Sequence, residues 1–228
     1  ERFSVEVPKR PGFERFDKFM GVETLAQIDG ERHDRLRRLL SGAFGPNSVL
    51  AFEASIETFV AGIYAPLAHA DEPFDLMADV AAKLIPGLLL GLLYGMNEDE
   101  KAIMARMSEA VPLATRLKPG EPFPPAYVAA FDDARALIGR LVEARRRQPC
   151  DDLISQLVLA ESEGDRLDSK ELFDQIFSIT AGALQSTASS FAACVYVLHR
   201  HPEALARLRG DHALVTCAVE ECLRYHGP

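Results

Sequence analysis

SKELFDQIFSITAGALQSTASSFAACVYVLHR, residues Ser169 to Arg200, is the longest unbroken helical pattern in the sequence, and the fold is decided by how it is read. At 1.5 Å per residue it runs about 45 Å, enough to cross a whole domain with its middle buried. The middle is unusual. Residues 178–190 (SITAGALQSTASS) carry almost only small side chains, a glycine at 182 and a single amide, Gln185. Glycine inside a helix is less favourable than alanine by about 1 kcal/mol. Two explanations stay open. A second helix crosses there at close range, admitted by Ala181, Gly182, Ala183 and Ser186, or a flat group that is not protein lies against the helix.

The remaining sequence predicts more helices. One begins near Asp29 and runs to about residue 44, its apolar stripe formed by Leu36, Leu39, Leu40 and Phe44, and Gly45-Pro46 stops it. Others cover about 48–67, about 73–96 with a kink at Pro86, and a stretch from Glu98 onward. The rigid PGEPFPP connection (119–125) precedes a helix over about 126–147 that ends in three arginines, as a helix C-terminal dipole favours. Asp151-Asp152 starts a helix that Gly164 closes, Pro202 starts a short one ending at Gly210, and Asp211 starts the last. Residues 1–28, rich in Pro, Phe and charge, form an irregular segment. No strand pair, internal repeat or low-complexity run is visible, so the expected class is mainly α.

Composition narrows the function. The 228 residues are 48% hydrophobic and 26% charged, globular in balance, with a net charge of −9 that argues against a phosphate-tracking nucleic-acid binder. The arginine groups at 35, 37 and 38 and at 145–147 lie on helical patterns and read as local features. Cys150, Cys194, Cys217 and Cys222 lack the C-x-x-C spacing of a zinc site or redox motif and predict reduced thiols in an intracellular chain. The apolar run 84–96 is shorter than the ~20 residues of a bilayer span. No signal peptide is recognisable. The expectation is a soluble, cytoplasmic protein.

Few residues suggest chemistry. His33 and Arg37, at i and i+4, put two cationic donors on one helix face and suit a ligand with carboxylates, although an exposed polar face explains them as simply. Glu221 and Arg224, at i and i+3 in a rather apolar helix, read as a structural charge pair. His199 and His201 diverge on a helix and make no metal pair. Asp132 with Asp133, and Asp151 with Asp152, read as helix-terminus charges. No nucleophile elbow, phosphate-binding glycine loop or zinc-ligand spacing is present.

The order of these elements resembles the cytochrome P-450 family of haem-thiolate enzymes, and most of all its soluble bacterial members. DGERHDRLRRLLSGAFGP (29–46) is similar to that family's helix C, D-x-x-x-H-x-x-x-R-R followed by F-x-P. DDLISQLVLAESEGDRLDSKEL resembles helix H and the approach to helix I, ITAGALQSTASSFA helix I itself, RHPEALARLR the short helix after it, and VEECLRYHGP the helix K signature E-x-x-R. The resemblance implies a single partial P-450 domain over residues 1–228, with helix C at about 29–44, helix I at about 169–200 and helix K at about 211–226. The family's small β-sheet segments and cysteine-ligand loop would lie outside this chain. It implies haem (iron protoporphyrin IX), with His33 and Arg37 holding the propionates and Ala181 and Gly182 against the distal face. Glu221 and Arg224 would be the pair that stabilises the fold around it. Residues 13–28 and 117–125 would border the substrate pocket.

Two departures qualify what the resemblance implies. Helix I of the family usually reads A-G-x-(acid)-T-T; here the acid and hydroxyl positions hold Leu184 and Gln185, with Ser186 and Thr187 following. Loss of a proton-relay group lowers rates by about 10²–10⁴-fold, so Gln185 and Ser186 are expected to mark an atypical proton delivery. None of the four cysteines stands at the family's ligand position. The metal ligand is expected beyond Pro228, in a longer enzyme of which this is the middle portion. The implied activity is a monooxygenase or oxidase acting on a small organic, secondary-metabolite-like substrate, free or on a carrier protein. Its electrons would come from a ferredoxin- or flavodoxin-type donor, and neither nucleic acid nor membrane takes part. The alternative is a haem-free P-450-like binding or recruitment domain. A helical sensor of a transcription regulator lacks any helix-turn-helix candidate.

Overall fold

The computed structural model describes residues 22–69, 72–118, 121–162 and 164–226. The irregular opening stretch up to Gly21, and Pro119-Gly120 of the rigid connection, lie outside the described residues.

Helix α1 (Gly30–Ser41) follows an extended Asp29, and Gly30 takes φ +65°, a left-handed value glycine adopts without strain. Leu36, Leu39 and Leu40 are buried, but the helix stops three residues before the expected end, and Phe44 is exposed rather than part of the stripe. Helix α2 (Pro46–Tyr64) starts on a proline that has no N–H to leave unpaired. Asp75 opens α3 by accepting the Met77 and Ala78 amides. Helix α3 is composite, with π-helical Leu76–Ala81 and Gly87–Leu93 on either side of α-helical Ala82–Pro86. Pro86 keeps helical angles (φ −61°, ψ −39°) and its missing donor is accommodated by the wider turns on both sides.

Helix α4 (Glu98–Thr115) starts with a reciprocal Asn97–Glu100 capping box. Helix α5 (Pro125–Arg147) packs along α4, so Asp132 and Asp133 stand well inside a helix, exposed, and are not terminus charges. Asp152 does cap α6 (Leu153–Leu159), and its other oxygen pairs with Arg145 Nε at 2.6 Å in a buried ion pair. Arg145 therefore belongs to a contact between elements and not to a local basic cluster. Helix α6 ends before Gly164, because β1 (Glu161–Ser162) and β2 (Asp165–Arg166) form a two-residue antiparallel hairpin that the pattern did not predict. Helix α7 (Ser169–Arg200) has the expected bounds and an Asp168–Glu171 capping box. Helix α8 (Pro202–Gly210), a 3₁₀ turn (His212–Leu214) and α9 (Val215–His226) complete the described chain.

The core gathers around the first half of α7. Leu172, Ile176 and Phe177 share one core with Leu90 of α3, Tyr94 just after it, Leu137 and Ile138 of α5, and Ile154 and Leu157 of α6. Phe131 packs edge-on against Phe173 and Phe177, with the Arg135 guanidinium about 5.0 Å from its ring centre. The Tyr94 hydroxyl lies 3.5 Å from the Ile176 carbonyl and 3.4 Å from the Thr180 hydroxyl, and burial raises its pKa far above the ordinary phenol range. The buried residues of α7 all fall between Leu172 and Leu184. Helices α8 and α9 pack along its second half.

By length and composition alone, Leu76–Leu93 and Ser169–Arg200 are each apolar enough to cross a membrane. The apolar run 84–96 overlaps the second half of α3, which begins eight residues before it. Val80, Leu84, Ile85, Leu89 and Leu90 of α3 are packed in the core, which accounts for its apolar character.

Candidate functional site

Two surfaces hold most of the candidate residues, one on α1 and one on α7. Leu36, Leu39 and Leu40 turn α1's apolar side inward, which leaves His33 part-exposed and Arg37 exposed. His33 Nδ1 lies 3.1 Å from Asp34 Oδ1, and its side chain keeps 29% of its accessible surface. Arg37 has no ion-pair partner among the described residues. The arginine between them behaves differently. Arg35 reaches Asp165 of β2 through Nε (2.5 Å) and Nη2 (3.0 Å), Glu171 of α7 through Nη1 (2.5 Å), and the Arg166 carbonyl (3.1 Å). These bonds hold the Arg35 guanidinium firmly protonated and draw the Asp165 carboxyl below the usual range. The expectation of one local basic cluster over Arg35, Arg37 and Arg38 is thus corrected: Arg35 ties three elements together. No local pattern revealed this, because its partners lie 130 and 136 residues away.

On α7 the small residues differ from a close helix crossing seen elsewhere in the fold. Gly182 is exposed, and a Cβ at that position would meet no atom of the described residues within 4 Å. Gly87 of α3 shows what a close crossing looks like: a Cβ there would come within 2.3 Å of the Phe59 ring of α2. Nothing among the described residues crosses α7 at Gly182 in that manner. Ala181 and Ala183 are part-buried against the core. Leu184 is buried, whereas Gln185, Ser186 and Thr187 are exposed. The Ser186 hydroxyl donates to the Gly182 carbonyl one turn back, as helical serines often do.

Glu221 and Arg224 form the expected pair on α9, with two parallel bonds of 2.7 Å. The pairing lowers the Glu221 pKa and raises that of Arg224. Both side chains are more than half exposed, so the pair contributes little stability as it stands. His33–Arg37, Gly182–Ser186 and Glu221–Arg224 occupy three separate helices, and no hydrogen bond joins one group to another among the described residues.

Comparison with known proteins gives the arrangement its context. The family model described as Cytochrome P450 matches residues 1–221. The chain belongs to the cytochrome P450 family. It is 35% identical to Nocardicin C N-oxygenase of Nocardia uniformis subsp. tsuyamanensis over 202 residues, 89% of this chain and 49% of that protein. The leinamycin-pathway P450 hydroxylase LnmZ of Streptomyces atroolivaceus S-140 is 33% identical over 89% of this chain and 54% of that one, with a TM-score of 0.75. PksS, the bacillaene polyketide synthase P450 of Bacillus subtilis 168, has a TM-score of 0.82 at 25% identity, over 97% of this chain and 55% of the other. The chain spans about half the length of the P450 relatives it matches.

This P450 chain offers groups that suit a flat, dianionic macrocycle such as haem. His33 and Arg37 are two hydrogen-bond donors one turn apart on an outward face, the right chemistry for a pair of carboxylates. Gly182 is exposed, and among the described residues no atom lies within 4 Å of where its Cβ would be. Among the cysteines, Cys150 and Cys217 are exposed and Cys194 is half-buried, while Cys222 is buried with its thiol against the Cys194 carbonyl. Burial is the main cause that pushes the Cys222 thiol pKa up, the opposite of what a thiolate ligand needs.

Sequence reasoning also passed over Asp174 and Gln175 of α7. Each is only 2% exposed, and each bonds to the backbone of Glu23. A signal existed: two adjacent polar residues between Phe173 and Ile176 on an otherwise apolar helix face, a pattern that requires buried partners.

Proposed function

We propose that this chain is the helical part of a haem-dependent monooxygenase, in which α1, α7 and α9 correspond to the family's helices C, I and K. The family match over residues 1–221 carries this reading, and the donor chemistry of α1 and the uncrowded surface at Gly182 support it. His33 and Arg37 hold the haem propionates, and Ala181 and Gly182 lie against the distal face. Glu221 and Arg224 brace the surrounding fold. When bound, haem supplies the activation of dioxygen, drawing electrons from a ferredoxin- or flavodoxin-type donor.

The chain's own residues then determine orientation and proton access. Arg37, always charged, and His33 offer donors to two carboxylates and so fix the in-plane orientation of the group they hold. The buried Leu184 stands at the family's acid position, where a carboxylate would be desolvated. Gln185 has an amide that both donates and accepts but does not titrate; it orients a water without exchanging a proton of its own. Ser186 donates to the Gly182 carbonyl and becomes a donor toward the pocket only when that bond opens. Proton delivery therefore runs through ordered water or through the substrate itself. The substrate is a small organic molecule of secondary metabolism, and the relatives' names (a nocardicin oxygenase, a leinamycin-pathway hydroxylase) support that class. Among the described residues, 22–28 and 121–125 border its pocket.

The test is a carbon monoxide difference spectrum of the reduced full-length protein that contains this chain. A thiolate–haem band near its family position is expected. A protein that takes up no haem, or shows no such band, refutes the proposal in favour of a haem-free binding domain.

A further inference from the structure

The segment that leads into α1 is gripped by α7 far from the surface at Gly182. Two consecutive α7 side chains take both backbone groups of Glu23: its N–H donates to Asp174 Oδ2 at 3.1 Å, and its carbonyl accepts from Gln175 Nε2 at 3.1 Å. Lys170, one turn earlier, pairs with Asp174 and lies 3.8 Å from the Glu23 carboxylate. Arg32, in the first turn of α1, pairs with that same carboxylate. Glu23 is thus fixed through its backbone to α7 and joined through its side chain to α1.

Little freedom remains between this grip and the helix it introduces. Val22, Thr24 and Ile28 are buried. Thr24 and Gln27 close a capping box around the 3₁₀ turn Leu25–Gln27. Ile28 and Asp29 are extended, and Gly30 makes the left-handed step into α1. A path with so few soft dihedrals passes the position of Glu23 on to His33 and, one turn further, to Arg37. On its other side α1 is held by the Arg35 contacts with Asp165 and Glu171.

The choice of residues shows that packing alone is not what this position serves. Leucine and isoleucine fill the neighbouring buried positions 172 and 176. A buried carboxylate and a buried amide are unfavourable unless each finds a partner. Asp174 carries that burden only in part, since its Oδ1 is buried with no hydrogen-bond partner among the described residues. What the pair provides in return is a directional hold on one peptide unit, which apolar side chains cannot supply.

We propose that Asp174 and Gln175 are positioning residues: by gripping both backbone groups of Glu23, they set the direction in which the α1 face presents His33 and Arg37 to the cofactor's carboxylates. The inference rests on the proposed haem reading of those two residues.

The experiment uses the full-length haem protein. Gln175→Met keeps the length and packing of the side chain but cannot donate, and Asp174→Leu removes the acceptor. Each is expected to accelerate haem transfer to apomyoglobin by about three- to tenfold, whereas Asp174→Asn, which still accepts from the Glu23 amide, stays within about twofold of the parent. In a His33→Ala/Arg37→Ala background, Gln175→Met is expected to change the transfer rate by less than about twofold, because a positioning effect needs the groups it positions. Equal acceleration in both backgrounds overturns the inference, even with the haem reading intact. Amide hydrogen exchange over residues 22–34 provides a readout independent of the cofactor. It is expected to rise about tenfold or more in Gln175→Met, with α4 and α5 unchanged; unchanged exchange over 22–34 also overturns the inference. A parent protein that binds no haem fails at the earlier step and removes both.

Discussion

Gly182→Ala separates the two explanations for the small residues of α7 by the sign of its effect. Within a helix, alanine is more favourable than glycine by about 0.5–1 kcal/mol when its methyl group meets nothing. Among the described residues a Cβ at 182 has no atom within 4 Å, so the gain is not offset by a clash with them. The haem-free full-length protein is therefore expected to gain about 0.5–1 kcal/mol, read as a higher urea midpoint at unchanged slope. Gly87→Ala is the matched control. Its methyl group would come within 2.3 Å of the Phe59 ring, and overpacking of this kind loses about 1–3 kcal/mol. In the haem-loaded protein the sign at 182 should reverse, because the methyl then meets the macrocycle. An overpacking penalty of about 1–3 kcal/mol corresponds to about a five- to 150-fold loss of haem affinity. Should Gly182→Ala destabilise the haem-free full-length protein, another part of that protein packs against this position and the close-crossing explanation holds. If it leaves haem affinity unchanged, Gly182 does not face the cofactor.

Two further expectations concern protons. Gln185→Thr places a hydroxyl where the family has one, and should raise product formed per electron pair while lowering peroxide release; unchanged coupling and an unchanged product profile would remove Gln185 from proton delivery. Tyr127 is buried, which raises its phenol pKa to about 12. A folded-state pKa above the unfolded one contributes stability that is complete below pH ~10 and is lost as pH rises toward about 12. Ultraviolet titration at pH 11 should thus find Tyr127 protonated in the native protein, and its ionisation there with the fold intact would contradict the burial described.

Features written in nearby residues were legible before the structure. The Asp152 cap, the proline start at 202 and the full extent of α7 depend on spacing within a turn or two, and the sequence displays that spacing, whereas Pro46 and Pro125, which read as a stop and as part of a rigid connection, each begin a helix. The i, i+4 cations of α1 and the i, i+3 pair of α9 were legible for the same reason. Contacts closed by the fold were not. Arg35 looked like one arginine of three, since its carboxylates come from a hairpin and a helix start more than a hundred residues away. The hairpin itself has only two residues per strand and no alternation to detect. Phe44 shows the reverse failure: its spacing fits the buried stripe, but the helix ends first and the chain turns the ring outward. Gly182 needed both kinds of information. Its presence was plain, while its meaning depended on which neighbours the fold brought near.

The 161–166 hairpin has a consequence for anyone diversifying this protein. A short, glycine-containing turn at the surface is where insertions are normally placed, on the assumption that they remain silent. Here Asp165 and the Arg166 carbonyl are handholds for Arg35, so the turn acts as a tether whose length is set by its residue count. One added residue would shift that handhold by up to about 3.5 Å, and the disturbance would surface in α1, about 130 residues away in sequence. A library built at this turn would in effect be a library of α1 orientations.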